Sequence, residues 1–331
     1  MEMKTRYLGL DLPSPLVASA SPLNAKLEVL KILADHGAGA VVLPSVFEEQ
    51  IWHEQRILDQ LVEHGSESSG EALSYFPTQS AFAFDSSNHL TLVEKAATAL
   101  PIPVIASLNG TTDTGWTDMA YEFAEAGAGA IELNVHFLPT DPDMSGAEVE
   151  QRTLDVVSAV CETVQIPVSV KIGPYFSSPA HMSKRIVVAG AKGVVLFNRF
   201  YQPEIDPVRL TVEPQLELSR RYEMRLPMRW IGVLAGRFGG SIAATTGVES
   251  AEDVVRYLLA GADVVMTTSA LLRHGPEHIG VLLKGVEDWL DARGLETPAD
   301  LRGKLAYGAM DDPEGYERAN YIKVMQSWGK A

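Results

Sequence analysis

The sequence predicts an α/β fold, a TIM (β/α)8 barrel, from two recurring patterns and from the number of predicted strands and helices. In the first pattern a helix ends at glycine and a short apolar or β-branched run follows. It stands in HGAGAVVLP (36–44), AGAGAIELN (126–134), AGAKGVVLF (189–197) and AGADVVMTT (260–268). Glycine is preferred just beyond a helix because it adopts the left-handed conformation freely. The apolar run is typical of a parallel strand that is covered on both faces.

The second pattern is an apolar strand that begins at proline after a helix. It stands in LPIPVIASL (100–108) and VQIPVSVKI (164–172). Proline removes a hydrogen-bond donor where the strand starts. Together with the flanking sequence, the two patterns predict barrel strands at 15–20, 39–44, 102–107, 129–134, 167–172, 192–197, 240–245 and 263–268.

Stretches with apolar residues near the helical period alternate with these strands. They predict helices at 24–36, 90–100, 113–127, 146–164, 178–190, 213–223, 250–261 and 276–293. In the third, Trp116, Met119 and Phe123 share one face, and the seventh opens with Ser250 as N-cap and Asp253 three residues later. Eight strands alternating with eight helices match a (β/α)8 barrel. A doubly wound open sheet fits that count less well, and no GxGxxG follows the first strand.

The predicted domain organisation is a single barrel over residues 1–304 with long insertions at about 45–89 and 198–239. Both insertions follow the carboxyl ends of strands, the face on which barrel enzymes keep their active sites. Long loops there commonly act as lids or substrate walls. The aromatic C-terminal tail, 305–331, packs either on the barrel or on a partner subunit, and the sequence leaves both alternatives open.

The composition excludes several classes of function. The chain has 331 residues, of which 46% are hydrophobic and 21% charged, and its net charge is −16. Nucleic-acid binding is not expected, because it needs lysine and arginine against the phosphates. The single cysteine, Cys161, excludes an intramolecular disulfide and an iron–sulfur cluster held by this chain alone. Without a secretory signal or an apolar run of membrane-spanning length, we expect a cytoplasmic protein that does not enter the membrane.

Polar residues cluster where the predicted strands end, which in a barrel indicates function. The cluster comprises Ser19, Ser21, Ser107, Asn109, Asn134, His136, Lys171, Asn198, Thr245, Thr246, Gly247, Thr267, Thr268 and Ser269. Those after the seventh and eighth strands stand where barrel enzymes commonly bind phosphate through backbone N–H groups and a helix N-terminus. Threonine is also common at strand ends for structural reasons, and the two interpretations weigh about equally.

Lys171 is the most informative residue, because it lies in IPVSVKIGP (166–174), a strand that reads as fully buried. A lysine is almost never fully buried without a partner. The residues alone leave three partners open: a carboxylate distant in sequence, a bound cofactor, or a substrate carbonyl that forms a Schiff base. The two histidines of HGPEH (274–278) have no third ligand nearby in sequence, so we expect no metal site.

The order of motifs resembles the dihydroorotate dehydrogenase family over about residues 6–303. The matching stretches are LGLDLPSPLVASASP, GAGAVVLPS, ELNVHFLP, VSVKIGPYF, VVLFNRF and AATTGVESAEDVVRYLLAGADVVMTTSALLRHGP. The resemblance implies an FMN-dependent flavoprotein of pyrimidine biosynthesis that oxidises a CH–CH bond of dihydroorotate or a similar small molecule. It also implies a homodimer. Because the chain has one cysteine, a ferredoxin or an iron–sulfur subunit is the expected electron-transfer partner.

The resemblance further implies roles for individual residues. Lys171 matches a family lysine that lies against the electron-rich edge of the flavin, where a cation stabilises the reduced state. Asn134 matches an asparagine that contacts flavin or substrate. The other residues expected at the cofactor are Ala18, Ser19, Ser45, Asn109, Asn198, Thr245, Thr246, Gly247, Thr268 and Ser269.

Several positions depart from the family pattern. The family places a cysteine or serine base after the fourth strand, and that position here is Phe137, which cannot remove a proton. Pro139 and Arg199 replace an asparagine and a small residue, and Thr246 stands where the family has glycine. We therefore expect the barrel and the flavin site with an altered substrate. His136 is the expected replacement base, because imidazole titrates near neutral pH.

Two other functions stay open on the sequence. The first is a flavin-free barrel lyase or aldolase in which Lys171 is the Schiff-base nucleophile. The second is a non-catalytic barrel subunit, which the loss of the base motif favours. Flavin content separates the dehydrogenase from both alternatives.

Overall fold

The computed structural model describes residues 2–47, 86–110, 116–199 and 202–327, and its centre is a closed barrel of eight parallel strands. Most of the predicted insertion at 45–89 lies outside the described residues, as do residues 200–201 of the second insertion. The barrel strands follow one another in chain order, and the last pairs with the first. The predicted TIM barrel is confirmed.

The strands of the described residues follow the predicted segments closely. In chain order they are β1 (Thr5–Tyr7), β2 (Leu10–Leu12), β3 (Leu16–Ala18), β4 (Ala40–Phe47), β5 (Val104–Gly110), β6 (Ala130–Val135), β7 (Val168–Ile172), β8 (Gly193–Leu196), β9 (Pro203–Asp206), β10 (Thr211–Pro214), β11 (Ser241–Ala244) and β12 (Val264–Thr267). The pairs β1–β2 and β9–β10 are antiparallel hairpins, and the other strands form the barrel. The hairpin β9–β10 lies in the second insertion.

Helices surround the barrel. In the described residues they are α1 (Leu27–Asp35), α2 (Ser86–Ala99), α3 (Trp116–Glu125), α4 (Gly146–Thr163), α5 (Pro179–Val188), α6 (Arg225–Leu234), α7 (Ala251–Ala260), α8 (Ser269–His274), α9 (His278–Asp291) and α10 (Asn320–Ser327). None of them is long and apolar enough to cross a membrane. The predicted start of α7 is confirmed, because the Ser250 N–H donates to the Asp253 carboxylate at 3.0 Å.

The helix predicted at 213–223 is wrong. That segment contains the end of β10, an irregular stretch and part of a 3₁₀ turn, and the helix on this side of the barrel is α6. Burial explains the shift, because Ile231 and Leu234 of α6 face the core whereas Leu216 is exposed. Pro227, which reads as a helix breaker, lies in the first turn of α6, where its missing N–H needs no partner.

Side chains alternate between two cores along each barrel strand. One set lies inside the barrel and the other packs beneath the surrounding helices. The interior set includes Val17, Val42, Ile105, Ala130, Val195, Ala243, Val264 and Met266. The outer set is larger and includes residues from every barrel strand and from most of the helices. A polar residue on the interior face is therefore enclosed unless it lies near one end of the barrel.

The N-terminal hairpin closes one end of the barrel. Tyr7, Leu8 and Leu12 are buried and join the interior cluster. The Leu8 N–H donates to Ser241 Oγ at 3.0 Å, at the start of β11. The Thr5 hydroxyl donates to the carbonyl oxygen of Asp263, just before β12, at 3.0 Å. In the described part of the chain, the hairpin thus covers the amino ends of the strands, and the carboxyl ends are the side on which ligand-binding residues are expected.

The beginning of the C-terminal tail lies against α6. The Tyr316 hydroxyl donates to the carbonyl oxygen of Leu305 at 2.5 Å, and a Cβ at Gly232 of α6 would overlap the Tyr316 ring. The Arg237 guanidinium lies 4.7 Å from the centroid of the Tyr307 ring. The boundaries of the barrel domain, 1–304, and of the tail stay a prediction.

A glycine substitution tests the close backbone packing just before β4. Gly39 donates its N–H to the carbonyl oxygen of Leu16 at 2.7 Å, and a Cβ there would overlap the carbonyl oxygen of Ser14. We expect Gly39→Ala to lower the free energy of unfolding by about 3 kcal/mol through overpacking. Gly146→Ala is the matched control, because its Cβ meets open space at the start of α4, and we expect a change of about 0.5 kcal/mol or less. Urea denaturation measures both. Equal effects of the two substitutions would contradict this packing.

Candidate active site

Three neighbouring strands place polar side chains at the carboxyl end of the barrel. In the register of β5, β6 and β7, Asn109 pairs with Asn134 and Asn134 pairs with Lys171. Because side chains alternate along a strand, Asn109 and Asn134 share the interior face with Ile105 and Ala130. These three predicted site residues therefore meet at one opening, which we call the mouth.

Lys171 has a carboxylate partner on the adjacent strand. Its Nζ lies 3.4 Å from Glu132 Oε1, and the exposed fractions of the two side chains are 12% and 1%. The buried lysine is thus explained by an ion pair with a residue distant in sequence, and a small part of the lysine side chain remains exposed. Glu132 has no signal in the sequence, because a single glutamate in a short strand usually marks a solvent-facing position.

Amide and hydroxyl pairs connect the other strand ends. Asn198 Nδ2 donates to Asn134 Oδ1 at 3.0 Å, so two predicted residues from β6 and the end of β8 are in contact. The Asn198 N–H donates to the carbonyl oxygen of Ile172 at 2.7 Å, which fixes its backbone beside β7. The hydroxyls of Ser45 and Ser107 lie 2.7 Å apart and link β4 to β5.

Ala18 and Ser19 lie at the end of β3, but of the two only Ser19 lies with the polar groups of the strand ends. The Ala18 side chain belongs to the outer core. Ser19 is buried, and its N–H donates to the carbonyl oxygen of Thr267 at 3.0 Å. Asn24, which has no sequence signal, donates its Nδ2 to the carbonyl oxygens of Ser19 at 3.0 Å and of Val42 at 2.7 Å. It therefore ties the ends of β3 and β4 together.

The turn after β11 has an unusual backbone. Thr246 has φ +83° and Gly247 has φ +76°. A β-branched residue is strained in this left-handed region. The buried Tyr257 hydroxyl on α7 donates to the carbonyl oxygens of Thr246 at 2.8 Å and of Thr245 at 3.0 Å. Burial raises the pKa of Tyr257, so its hydroxyl remains a donor and stabilises the strained turn.

Ser219 brings the turns after β11 and β12 together. The Gly247 N–H donates to Ser219 Oγ at 3.2 Å, and the hydroxyls of Ser219 and Ser269 lie 2.9 Å apart. Thr268 Oγ1 donates to the carbonyl oxygen of Ser19 at 3.4 Å. The residues predicted to bind phosphate are thus close in space. Ser219 lies in the irregular part of the second insertion, where no sequence pattern singles it out.

The residues after β6 bear on the missing base. His136 follows β6 directly and is half-buried, two positions beyond Asn134. The Arg152 guanidinium lies 4.3 Å from the centroid of the Phe137 ring, so this ring packs against α4. Cys161, on α4, is no substitute for a base, because burial raises the pKa of its thiol to about 11. His136 is thus the titratable residue next to the mouth on this loop.

A cavity of about 610 Å³ opens beside the mouth, between the ends of β8 and β11 and the second insertion. Asn198 and Thr246 form part of its wall. Arg199, which departs from the family pattern, also lines it and donates Nε to Glu223 Oε1 at 2.9 Å. The volume is in the range of small-molecule sites.

The donor set fits a planar heterocycle with carbonyl groups and an anionic end. Lys171, Asn134 and Asn198 offer a cation and amides at the mouth, and the Gly247 N–H and the Ser269 hydroxyl lie at the neighbouring turns. These are the groups that a flavin ring and its phosphate require. No cluster of histidine, cysteine and carboxylate side chains able to hold a metal occurs in residues 2–47, 86–110, 116–199 and 202–327.

Comparison with known proteins identifies a family for most of the barrel. The profile of the family described as dihydroorotate dehydrogenase matches residues 82–290. A protein of Aeropyrum pernix with the family name dihydroorotate dehydrogenase A (fumarate) is 32% identical over 212 residues, 61% of this chain and 67% of that protein. The dihydroorotate dehydrogenase B (NAD(+)) catalytic subunit of Methanothermobacter thermautotrophicus is 26% identical over 309 residues, 91% of this chain and 97% of that protein.

The strained turn yields a stability prediction. Tyr257→Phe leaves two carbonyl oxygens without their donor, and we expect it to lower the free energy of unfolding by about 1–2 kcal/mol. Thr246→Gly should recover part of this loss in the same background, since glycine adopts a positive φ without strain. The control is Tyr7→Phe, because the buried Tyr7 hydroxyl has no hydrogen-bond partner among the described residues. Equal losses for the two tyrosines in urea denaturation would contradict this role of Tyr257.

Proposed function

This chain belongs to the dihydroorotate dehydrogenase family, and from that premise we propose that it is an FMN-dependent oxidoreductase that oxidises a CH–CH bond of dihydroorotate or a close analogue. The family resemblance and the oxidoreductase class predicted from the sequence are confirmed. The observation that carries the proposal is the convergence of Lys171, Asn134 and Asn198 at the mouth. An altered substrate is part of the proposal, because the usual base is replaced by Phe137.

Lys171 supplies the positive charge of the site. When bound, the flavin serves as the hydride acceptor for the substrate carbon. The Lys171 ammonium lies at the mouth with one side toward Glu132 and 12% of its side chain exposed. A fixed cation stabilises a ligand more strongly as negative charge develops on that ligand during the reaction. Lys171 should therefore act mainly on the rate of the chemical step.

Asn134 and Asn198 orient the substrate ring. Since Asn134 Oδ1 accepts from Asn198 Nδ2, one amide N–H₂ and one amide oxygen of the pair remain for a ligand. This alternation of donor and acceptor complements the N–H and C=O groups of a cyclic imide. Two interlocked side chains also lose little freedom on binding, which favours a single ring orientation.

The turns after β11 and β12 hold the phosphate of FMN in this proposal. Gly247 contributes a backbone N–H, which in this structure donates to Ser219 Oγ at 3.2 Å. Ser219 and Ser269 contribute hydroxyls whose oxygens lie 2.9 Å apart. Backbone N–H groups in tight turns form concave binding sites for anions. The support is the position of these groups beside the cavity wall at Thr246.

His136 is the proposed base. It takes the proton from the substrate carbon onto a ring nitrogen while the hydride leaves the neighbouring carbon. Its half-buried position two residues after Asn134 supports this role. Histidine is the side chain that most often serves as a general base in enzymes.

The Schiff-base alternative is not favoured. A lysine nucleophile needs a neutral amine, whereas Lys171 lies 3.4 Å from a buried carboxylate that stabilises its cation. A non-catalytic subunit is also not favoured, because Lys171, Asn134 and Asn198 are all present at the strand ends.

The electron acceptor belongs to another protein in this proposal. The relatives carry names that specify fumarate or NAD(+) as acceptor, and the latter name denotes a catalytic subunit. We propose a ferredoxin or an iron–sulfur subunit here, since one cysteine cannot hold a cluster. A homodimer, a cytoplasmic location and a role in pyrimidine biosynthesis stay predictions.

Flavin binding is the first test. We expect the purified chain to bind FMN with a stoichiometry near one, and to show the flavin absorbance bands after gel filtration. Lys171→Met should weaken binding of the reduced form more than of the oxidised form, because the cation acts on the charge of reduction. A folded protein that remains colourless after incubation with FMN would overturn the proposal.

The base is tested separately in the FMN-loaded protein. We expect His136→Ala to lower kcat for dihydroorotate or its analogue by about 10²–10⁴-fold with unchanged flavin content. Phe137→Ala is the control, since its ring packs against Arg152, and we expect a change in stability with kcat within about threefold. Wild-type kcat in His136→Ala would remove this residue from the mechanism.

A further inference from the structure

We propose that Glu132 is a positioning residue that sets, through Lys171, the charge presented to a bound flavin. The inference rests on the proposed function, because it assigns a role toward the same cofactor. Glu132 is not among the residues that the resemblance assigns to the site, and its side chain is 1% exposed. The contact that carries the inference is the 3.4 Å ion pair between Glu132 Oε1 and Lys171 Nζ.

Glu132 lies deeper in the barrel than the residues of the mouth. On β6 it comes two residues before Asn134 on the same interior face, and its side chain is 1% exposed. Enclosing a carboxylate away from water in this way is unfavourable unless a cation or several donors face it. Lys171 is the cation that the structure provides, so the two charges are retained as a pair.

The second carboxylate oxygen supports a role beyond packing. Glu132 Oε2 is buried and has no hydrogen-bond partner among the described residues. A buried side-chain oxygen usually has a hydrogen-bond partner, so an unpaired one calls for an explanation. Among the described residues, the ion-pair partner of Glu132 is Lys171.

The polar residues that pair with Glu132 on the neighbouring strands, Ser107 and Ser169, carry no formal charge. The Ser169 hydroxyl donates to the carbonyl oxygen of Ile131 at 3.2 Å, and Ser107 is paired with Ser45. The hydroxyl of Tyr7 is fully buried, and burial together with the charge of Glu132 raises its pKa, so it stays neutral. Among these interior groups, Glu132 is therefore the anion that acts on Lys171.

Two consequences follow for a flavin at the mouth. Glu132 takes one of the three N–H donors of Lys171 and leaves the others for the ligand. It also offsets part of the positive charge that the ligand experiences. Replacing Glu132 with glutamine keeps an acceptor oxygen of the same reach but removes the charge, so the reduced flavin gains stability relative to the oxidised flavin.

The effect of Glu132 should depend on Lys171. Without the Lys171 ammonium, Glu132 has no cation to hold or to offset. In a Lys171→Met background, Glu132→Gln should therefore leave the potential of bound FMN almost unchanged. Direct action of the Glu132 charge on the flavin predicts the same shift in both backgrounds instead.

The experiment measures the midpoint potential of bound FMN by dye-linked reduction. We expect Glu132→Gln to raise the ratio of reduced to oxidised FMN affinity at least tenfold, about 30 mV for a two-electron couple. In Lys171→Met the same substitution should change the ratio less than threefold. Glu132→Asp retains the charge and should stay within about threefold of wild type, which gives a second variant if the glutamine protein does not fold.

Ser169→Ala is the matched control, since it removes a buried polar group from β7 without changing charge. The midpoint potential of FMN bound to this variant should equal that of FMN bound to the wild type. An unchanged potential in Glu132→Gln, or an equal shift in both backgrounds, would overturn the inference while the proposed function stands. If the wild-type protein binds no FMN, the proposed function fails and this inference fails with it.

Discussion

Closure of eight parallel strands is the constraint on which the rest of this structure depends. A closed barrel encloses every other side chain of each strand, and the hairpin β1–β2 covers the amino ends with Tyr7, Leu8 and Leu12. Polar groups on the interior face must therefore pair with one another or lie at the carboxyl end. The Glu132–Lys171 pair meets this constraint, because the enclosed carboxylate faces a lysine cation near the carboxyl end of the barrel.

The mouth is held together by contacts between strand ends that are far apart in sequence. Asn134 contacts Asn198, and Ser219 connects the turns at Gly247 and Ser269. These contacts fix donors and acceptors before a ligand arrives, which lowers the entropy cost of binding. The barrel thus contributes to recognition by holding short polar side chains at fixed separations.

The departures from the family pattern have local physical explanations. Thr246 replaces glycine at a positive φ, and the Tyr257 hydroxyl stabilises the strained turn from α7. Phe137, at the position of the missing base, packs beneath Arg152. Arg199 pairs with Glu223 in the wall of the cavity. The differences thus lie in the turns and loops after β6, β8 and β11, while the barrel and Lys171 are retained.

The sequence by itself determined the barrel, its strand positions and the list of polar strand ends, because helix-ending glycines and buried apolar runs are local signals. It placed one helix at 213–223 instead of α6, since only packing decides which apolar face is buried. The partner of Lys171 and the roles of Ser219 and Tyr257 were decided by the tertiary structure alone. Each depends on strand register or on a contact between distant segments, and no local pattern encodes the distance between two side chains on neighbouring strands.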